Sequence, residues 1–255
     1  MSGVESARPR VSVCLATFNG ERWVAEQLAS ILTQLGPADE VVVVDDASSD
    51  GTVAAVRAVG DPRIVVEARA ENRGYVRTFE EALRLARGTF LLLADQDDVW
   101  LPGRVEAMVE ALGRTHVVAT NLATLGGPEA IRGPYGQSDW RLRASDSGRG
   151  LRNVAGVLAG NRPYYGCAMG VHRDALAAGL LPFPTFLHES HDLWLALYGN
   201  LIGGMTHLEL RSLARRFHDT NQTPNRPRGV VAALRSRLLL LRCIASLLAR
   251  RSRRG

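Results

Sequence analysis

The sequence contains no lysine, few aromatic residues and only three cysteines. All 31 basic residues are arginine, and Phe, Trp and Tyr make up 6% of the chain. Cys14, Cys167 and Cys243 lie far apart and form no C-x-x-C pair. The sequence therefore predicts neither a disulfide framework nor a cysteine zinc site, and we expect three buried thiols in a reducing compartment.

Long hydrophobic runs are also absent. No segment approaches the roughly 18 to 20 apolar residues that a membrane-spanning helix needs. Residues 1–10 lack the apolar centre of a signal peptide and are expected to be disordered. The rest of the chain, which is 46% hydrophobic and 22% charged overall, has the composition of a folded protein. The expected location is the cytoplasm, with the inner face of the plasma membrane as a candidate site.

Acidic residues are missing from the last 30 positions. Residues 1–225 contain 22 arginines and 26 acids, a net charge of −4, whereas residues 226–255 contain nine arginines and no acid. A nucleic-acid-binding protein would spread its arginines over a folded face and interleave aromatics for stacking. We therefore predict no nucleic-acid partner.

Short apolar runs alternate with segments of helical periodicity in the first half of the chain. The predicted strands are 11–15, 41–44, 64–66 and 90–93. Strands that are apolar throughout are typical of a mostly parallel sheet with helices on both faces, which binds ligands at its carboxyl edge. Further elements are a strand near 167–171, a helix near 189–198 and a strand near 208–213. Residues 126–150 show no period and are expected to form an irregular excursion.

Acidic turns follow two of these strands. Asp95, Asp97 and Asp98 come after the fourth strand, where paired carboxylates can hold Mg²⁺ or Mn²⁺ or can cap the following helix. Asp45 and Asp46 come after the second strand and could accept hydrogen bonds from a nucleobase or a ribose. Asp50 is assigned to capping the helix that begins at Thr52.

The second half carries two further candidate segments. Small residues around Gly166 and Cys167 would let a ligand approach the backbone, although a packed strand explains them almost as well. The stretch from His188 to Asp192 contains two histidines and two acids at the start of a helical pattern. This exceeds what the dipole of a helix N-terminus requires.

Four segments together resemble the family 2 glycosyltransferases of the GT-A fold, over roughly residues 11–225. They are Ala16-Thr17-Phe18-Asn19-Gly20, the stretch VVDDASSDGT at 43–52, Asn72-Arg73-Gly74, and Asp95-Gln96-Asp97-Asp98-Val99-Trp100. The last form is similar to a branch with many bacterial rhamnosyltransferases and other cell-surface polysaccharide enzymes. The resemblance implies a Rossmann-like α/β domain over 11–225, with a nucleotide-sugar half at 11–115 and an acceptor half at 116–225.

The resemblance also implies roles for individual residues. Asp192 would be the catalytic base, with Glu189 in reserve, and Asp97 would hold the metal ion with His218 as a further ligand. The nucleotide-sugar site would comprise Thr17, Asn19, Asp45, Asp46, Asn72, Arg73 and Asp95. The acceptor or the diphosphate would meet Asp98, Trp100, Gly166, Cys167, His191 and Arg216.

The segment from Arg216 to Asn221 resembles the family's late Arg-x-His-x-x-Asn pattern, which would bring a cation and an imidazole to the diphosphate. It departs from that pattern at Arg215, where the branch often has an aromatic residue, and at Phe217, where it often has glutamine. The role expected of His218 therefore follows from an incomplete match to the family pattern.

The basic segment 226–255 shows a broad apolar stripe at helical spacing from 230 to 249, with arginines along it. Such a helix can lie on an anionic membrane, or it can pack against the catalytic domain. Both interpretations predict an amphipathic C-terminal helix.

The combined prediction is an inverting, metal-dependent glycosyltransferase. Its donor would be a UDP- or dTDP-sugar, with rhamnose among the candidate sugars, and its acceptor a glycan or lipid-linked glycan of the cell surface. The alternative is a catalytically silent nucleotide-sugar-binding or scaffold protein of the same fold. A haloacid-dehalogenase-like phosphatase is excluded because Ala47 and Ser48 break the required Asp-x-Asp-Gly-Thr spacing and no lysine exists.

Overall fold

The computed structural model describes residues 10–128, 130–217 and 230–252. Eight strands form one sheet in the order β3-β2-β1-β4-β7-β6-β8-β5. The strands are β1 (Val11–Thr17), β2 (Glu40–Asp45), β3 (Ile64–Ala68), β4 (Phe90–Asp95), β5 (Val99–Trp100), β6 (Val117–Leu125), β7 (Met169–His172) and β8 (Met205–Arg216). The helices are α1 (Val24–Leu32), α2 (Thr52–Ala58), α3 (Tyr75–Leu85), α4 (Arg104–Leu112), α5 (Gly150–Ala159), α6 (His191–Tyr198) and α7 (Val230–Ser252).

The first four long strands are parallel neighbours, as the sequence predicts. Strand β1 lies between β2 and β4, so Thr17 is opposite Asp45 and Ala16 is opposite Asp95. Strand β3 continues the parallel set on the outer side of β2. This register brings the turns after β1, β2 and β4 to one carboxyl edge of the sheet.

The second half of the sheet is mixed. Strand β7 runs antiparallel to both β4 and β6, β6 is parallel to β8, and β5 is antiparallel to β8. The sheet is still mostly parallel, since four of the seven pairings within the described residues are parallel.

Strand β6 and helix α5 were not predicted. Strand β6 contains Thr120 and Asn121, polar residues that are nevertheless buried. The Thr120 hydroxyl donates to the Ala168 carbonyl, and Asn121 exchanges two hydrogen bonds with the backbone of Leu142. The irregular excursion thus provides, through the backbone of Leu142, the hydrogen-bond partner of the buried Asn121 side chain in β6.

The two faces of the sheet are covered by separate cores. Along β1, Val13 and Leu15 enter one core with α1 and α4, whereas Cys14 enters the other with α3, α6 and α7. Successive side chains of a strand point to opposite faces, so one apolar run serves both cores. The prediction of doubly buried strands is confirmed for β1, β2 and β4, whereas β3 lies at the edge of the sheet and Val65 is exposed.

Helix α7 packs against the rest of the protein through one face. Leu240, Cys243 and Leu247 are buried in the same core as Trp194 of α6. All three cysteines are buried free thiols, as predicted. Among the described helices, none combines the length and hydropathy needed to cross a membrane.

The predicted disordered N-terminus lies outside the described residues except for Arg10. The excursion at 126–149 is irregular apart from a single 3-10 turn at Ala144–Asp146, and α5 begins at its end. The expected strand near Cys167 begins only at Met169, since Gly166–Ala168 form a 3-10 turn. The proposed division at 11–225 and 226–255 stays a prediction.

Candidate active site

The turns after β1 and β2 are joined by Asp45. This carboxylate accepts hydrogen bonds from the Thr17 hydroxyl at 2.8 Å and from the backbone and side chain of Ser48 at 2.8 and 2.6 Å. Asn19, at a φ of +49°, accepts from the Ser49 backbone at 2.9 Å. Both carboxylate oxygens of Asp45 therefore accept hydrogen bonds from within the protein. Asp45 thereby holds the turns after β1 and β2 together at the expected nucleotide pocket. Asp50 accepts from the Thr52 backbone at the first turn of α2, although the N-cap position of this helix is the next residue, Gly51.

Asp46 connects the second turn to the segment before α3. Its carboxylate accepts hydrogen bonds from the backbones of Arg73 at 2.9 Å and Gly74 at 2.8 Å, and it pairs with Arg69 at 2.9 Å. The Asn72 side chain donates to the Asp46 carbonyl at 3.1 Å. Gly74 has φ +83° and ψ 152°, a conformation that favours glycine. The Arg73 side chain is exposed, so it remains available to a ligand.

The turn after β4 is clamped to the turn after β1. The Gln96 side chain accepts from the Phe18 amide at 2.8 Å and donates to the Phe18 carbonyl at 2.9 Å. The Gln27 side chain donates to the Asp95 carbonyl at 2.8 Å. The polar turns therefore form one hydrogen-bonded edge.

A cluster of acids lies at the end of β4. One ligand atom each of Asp95, Asp98 and Cys167 falls within 4.8 Å of the others. Burial and then the charge of Asp97 raise the pKa of Asp95 to about 7. Burial, Asp95 and Asp97 raise the pKa of Asp98 well above its usual range. The cluster therefore holds protons, or binds a cation, more readily than isolated carboxylates do.

A buried arginine supports this cluster from beneath. Arg104 is fully buried and donates to the carbonyls of Leu93 at 3.2 Å and Cys167 at 2.6 Å, and to the Ser212 hydroxyl. Its guanidinium lies 4.3 Å from the centre of the Trp100 ring. Burial lowers its pKa to about 10, so the side chain keeps its charge at neutral pH. Trp100 is 3% exposed, so the expected acceptor contact is not available to it in this geometry.

Two arginines at the end of β8 flank the acids. Arg215 lies over Tyr165, 5.4 Å from the ring centre, and its charge opposes the rise in the pKa of Asp95. Arg216 donates to the Asp97 carbonyl at 3.2 Å and pairs with Glu26 at 2.6 Å. The structure thus brings Arg216 to the acid turn. His218 and Asn221 lie outside the described residues.

Asp192 faces the same cluster from the start of α6. It is half-buried and accepts a hydrogen bond from the Leu193 backbone at 2.8 Å. Its charge contributes to the raised pKa of Asp95. Burial raises the pKa of Tyr165 to about 12, and Asp192 adds to this shift. Glu189 is exposed three residues earlier.

His191 lies beneath this surface. Its ring stacks on Phe79 with centroids 4.3 Å apart and meets the edge of Tyr75 at 5.6 Å. Burial lowers its pKa to about 3, and neither ring nitrogen has a hydrogen-bond partner within the described parts of the chain. A Cβ at Gly166 would lie 2.5 Å from its Nε2 atom. The structure corrects the expected acceptor contact of His191: the ring is a packing group that supports the Gly166 backbone.

Gly166 and Cys167 are also buried, and Cys167 is 3% exposed. Burial and the neighbouring carboxylates raise the pKa of the Cys167 thiol well above its usual range. The thiol is therefore protonated and faces Asp98, so a direct contact with the acceptor would require this turn to open.

Sequence reasoning missed Arg104, Arg215 and Gln96 as parts of the site. Arg215 could have been identified from the sequence, because it directly precedes Arg216, which was already assigned to the site. Gln96 stood inside the recognised acidic motif. Arg104 carried no signal, since an arginine at the first turn of a helix is ordinarily exposed.

Comparison with known proteins defines the class to which this fold and site belong. The chain belongs to glycosyl transferase family 2, whose sequence pattern matches residues 12–176. The family resemblance and the predicted GT-A type of α/β fold are confirmed.

Among characterised relatives, the chain is 37% identical over 102 residues to the succinoglycan biosynthesis protein ExoO of Rhizobium meliloti, covering 40% of this chain and 29% of that protein. It is 28% identical over 107 residues to the UDP-Glc:alpha-D-GlcNAc-diphosphoundecaprenol beta-1,3-glucosyltransferase WfgD of Escherichia coli, covering 42% of each. These matches span less than half the length of either relative.

Among solved structures, Staphylococcus aureus TarS 1–349 in complex with UDP-GlcNAc superposes with a TM-score of 0.70 at 20% identity, covering 94% of this chain and 72% of that one. The mannosyltransferase PcManGT from Pyrobaculum calidifontis, in complex with GDP-Man and Mn²⁺, gives 0.58 at 20% identity, covering 95% and 74%. At this level of identity the likeness establishes the fold.

Proposed function

We propose that this protein is an inverting glycosyltransferase. It moves a sugar from a UDP- or dTDP-sugar to a hydroxyl of a glycan or lipid-linked glycan used in cell-surface polysaccharide synthesis. The observation that carries the proposal is that side-chain hydrogen bonds join the turns after β1, β2 and β4 into one acidic carboxyl edge, to which Arg216 is also bonded. Asp192, at the start of α6, lies near enough for its charge to contribute to the raised pKa of Asp95. A candidate base and a candidate diphosphate site thus lie near the same edge of the sheet.

In the reaction, Asp192 accepts the proton of the acceptor hydroxyl. The acceptor oxygen forms a bond to the anomeric carbon from the face opposite the leaving group. The bond from that carbon to the diphosphate oxygen breaks, and its electron pair leaves with the nucleoside diphosphate. A positioned base of this kind contributes about 10² to 10⁴ in rate.

The turns after β1 and β2 position the donor. Thr17 and Asn19 form the floor, Asp46 fixes the Asn72-Arg73-Gly74 segment, and the exposed Arg73 side chain is placed near the base. Because Asp46 already holds two backbone amides and Arg69, its contribution is to shape this segment. Asp95 then meets the ribose.

The acid turn fits a divalent cation. Asp95, Asp97 and Asp98 bring hard carboxylate oxygens, which Mg²⁺ and Mn²⁺ prefer, to one strand end, and Asp98 Oδ2 is a buried oxygen with no hydrogen-bond partner among the described residues. The thiol of Cys167 is a soft donor beside Asp95 and Asp98, so Asp97, which is not part of that group, would hold the metal. When bound, the ion neutralises charge on the departing diphosphate. Arg216 adds a cation at the same turn, and His218 is proposed as a further ligand.

Calorimetric titration with UDP, dTDP and GDP, with and without Mn²⁺, tests the donor site. We expect metal-dependent binding of UDP or dTDP by the unaltered protein and loss of that dependence in Asp97→Ala. Asp174→Ala is the matched control, because this exposed acid follows β7 at the opposite edge of the sheet. Unchanged affinity of the Asp97 variant in the presence of Mn²⁺ would contradict the metal assignment.

Turnover tests the base. Asp192→Asn is expected to lower kcat by about 10² to 10⁴ while leaving nucleotide affinity within twofold, because it removes the proton acceptor and little else. Glu189→Gln serves as the comparison, since this exposed acid is the reserve base. A larger loss in the Glu189 variant would transfer the role to it. Nucleotide binding without turnover on any acceptor would favour the silent nucleotide-sugar-binding alternative.

The polysaccharide setting is supported by the relatives, one of which is a succinoglycan biosynthesis protein and another a transferase acting on a diphosphoundecaprenol-linked sugar. We propose that this protein likewise acts in the cytoplasm at the inner face of the plasma membrane, in peripheral contact with anionic lipid. Rhamnose is one candidate among the hexoses and deoxyhexoses to be tried as donor sugar.

A further inference from the structure

Helix α7 has two apolar faces, and only one of them is used inside the protein. Leu240, Cys243 and Leu247 lie in the core. A second set of apolar residues is between 47% and 64% exposed: Val231, Leu234, Leu238, Leu241 and Leu248. At 100° per residue these five fall within an arc of about 100° on the side away from the core. We call them the leucine face.

Arginines border the leucine face on both sides. On the helical projection, Arg235 and Arg242 lie along one edge and Arg237 lies along the other. No acidic residue occurs anywhere from 226 to 255. An apolar strip between two cationic rows is the pattern of helices that lie in the plane of a membrane surface.

The leucine face is held in a fixed orientation relative to the catalytic body. Arg250 donates to the carbonyls of Gly179 at 2.8 Å and Pro182 at 2.7 Å, with its guanidinium 5.0 Å from the Trp194 ring centre. Arg251 donates to the Leu201 carbonyl at 3.1 Å. Whatever binds the leucine face therefore also orients the candidate active site.

We propose that the leucine face of α7 seats in the headgroup region of an anionic lipid bilayer with α7 parallel to the membrane plane. A second copy of the chain would bring like-charged arginine rows together with no acid on α7 to offset them, whereas anionic headgroups complement those rows. Five exposed apolar side chains on one face of a 23-residue helix form the kind of patch that marks an interaction surface. The inference rests on the proposed function, which places the protein in contact with anionic lipid, and it names the surface that makes this contact.

Co-sedimentation of the full chain with vesicles of phosphatidylcholine alone, or with 30% phosphatidylglycerol, tests the proposal. We expect binding to the anionic vesicles that weakens as salt is raised. Leu238→Glu with Leu241→Glu should reduce the partition coefficient at least tenfold. The control is Leu85→Glu, an exposed leucine on α3. Arg235→Gln with Arg242→Gln should reduce binding about 30-fold and flatten the salt dependence.

Nucleotide titration of the same variants separates this proposal from the proposed function, because neither pair touches the candidate active site. Retained nucleotide affinity with lost vesicle binding supports the membrane face, even if the protein turns over no acceptor. Vesicle binding by the Leu238 and Leu241 variant equal to that of the unaltered chain would overturn it. So would a dimer in solution that the same substitutions dissociate, with no vesicle binding by either protein.

Discussion

Arg104 is a buried cation beside the acidic turn, and its replacement should show how much its hydrogen bonds contribute to the free energy of unfolding. The perturbation is Arg104→Met, which keeps an unbranched stem of similar length and can still lie on Trp100. It removes the donors to the Leu93 and Cys167 carbonyls and to the Ser212 hydroxyl. These three acceptors belong to β4, to the turn before β7 and to β8, so one side chain joins three segments.

The magnitude follows from the bonds that are lost. Three hydrogen bonds from a charged donor contribute about 1.5 to 3 kcal/mol each, net of the cost of removing the groups from water, or roughly 4.5 to 9 kcal/mol together. These contributions do not add fully, because the three bonds share one side chain. We therefore expect the free energy of unfolding to fall by about 3 to 5 kcal/mol, the range for removing one partner of a buried charged contact.

Urea unfolding followed by tryptophan fluorescence measures this change. Arg114→Met is the matched control, because Arg114 is exposed and forms only a surface pair with Glu110, worth about 0.3 to 0.5 kcal/mol. A loss below 1 kcal/mol in the Arg104 variant, similar to the control, would refute the reasoning, since the buried carbonyls would then have found other donors.

Two further predictions concern His191 and Gly74. Because the pKa of His191 is about 3 in the folded protein and near 6.5 when exposed, only the unfolded chain takes up its proton as pH falls. The contribution of neutral His191 to the free energy of unfolding is therefore complete above about pH 6.5 and is lost as the pH falls. Between pH 7 and pH 5 the unaltered protein should lose about 2 kcal/mol of unfolding free energy through His191, and His191→Phe should not lose this amount. Equal losses of unfolding free energy in urea titrations of the two proteins would contradict this prediction. Gly74→Ala should destabilise the protein by about 1 to 3 kcal/mol and weaken nucleotide binding, since its φ of +83° and ψ of 152° suit only glycine. Gly60→Ala, at a φ of +68° and remote from the site, should cost about 1 kcal/mol and leave binding unchanged, and an equal effect on binding would remove Gly74 from the site.

The parallel part of the fold was predictable because β1, β2 and β4 are apolar runs that each enter two cores. Val13 and Cys14 illustrate this, since adjacent residues of β1 lie in different clusters. The acids at the strand ends were predictable for a related reason: a polar residue directly after a doubly buried strand falls at the carboxyl edge of the sheet.

Strand β6 was not predictable, because Thr120 and Asn121 interrupt its apolar pattern and their partners lie far away in sequence. The same limit applies to His191. Its position next to Asp192 in a titratable cluster suggested a surface role, whereas the helix turns the two side chains to different environments. Local sequence identifies which residues carry chemistry better than it identifies which way each one faces.

Asp46 has a consequence for how this protein can change over evolution. Its carboxylate is bonded to Arg69 on one segment and to the Arg73 and Gly74 amides on another, while its own backbone amide donates to Thr17 on a third. Substitutions in these segments will therefore show epistasis, because residues that share one partner do not contribute independently. Changes in donor preference should arise more easily by substitution of Arg73, because its side chain is exposed and only its backbone amide binds Asp46.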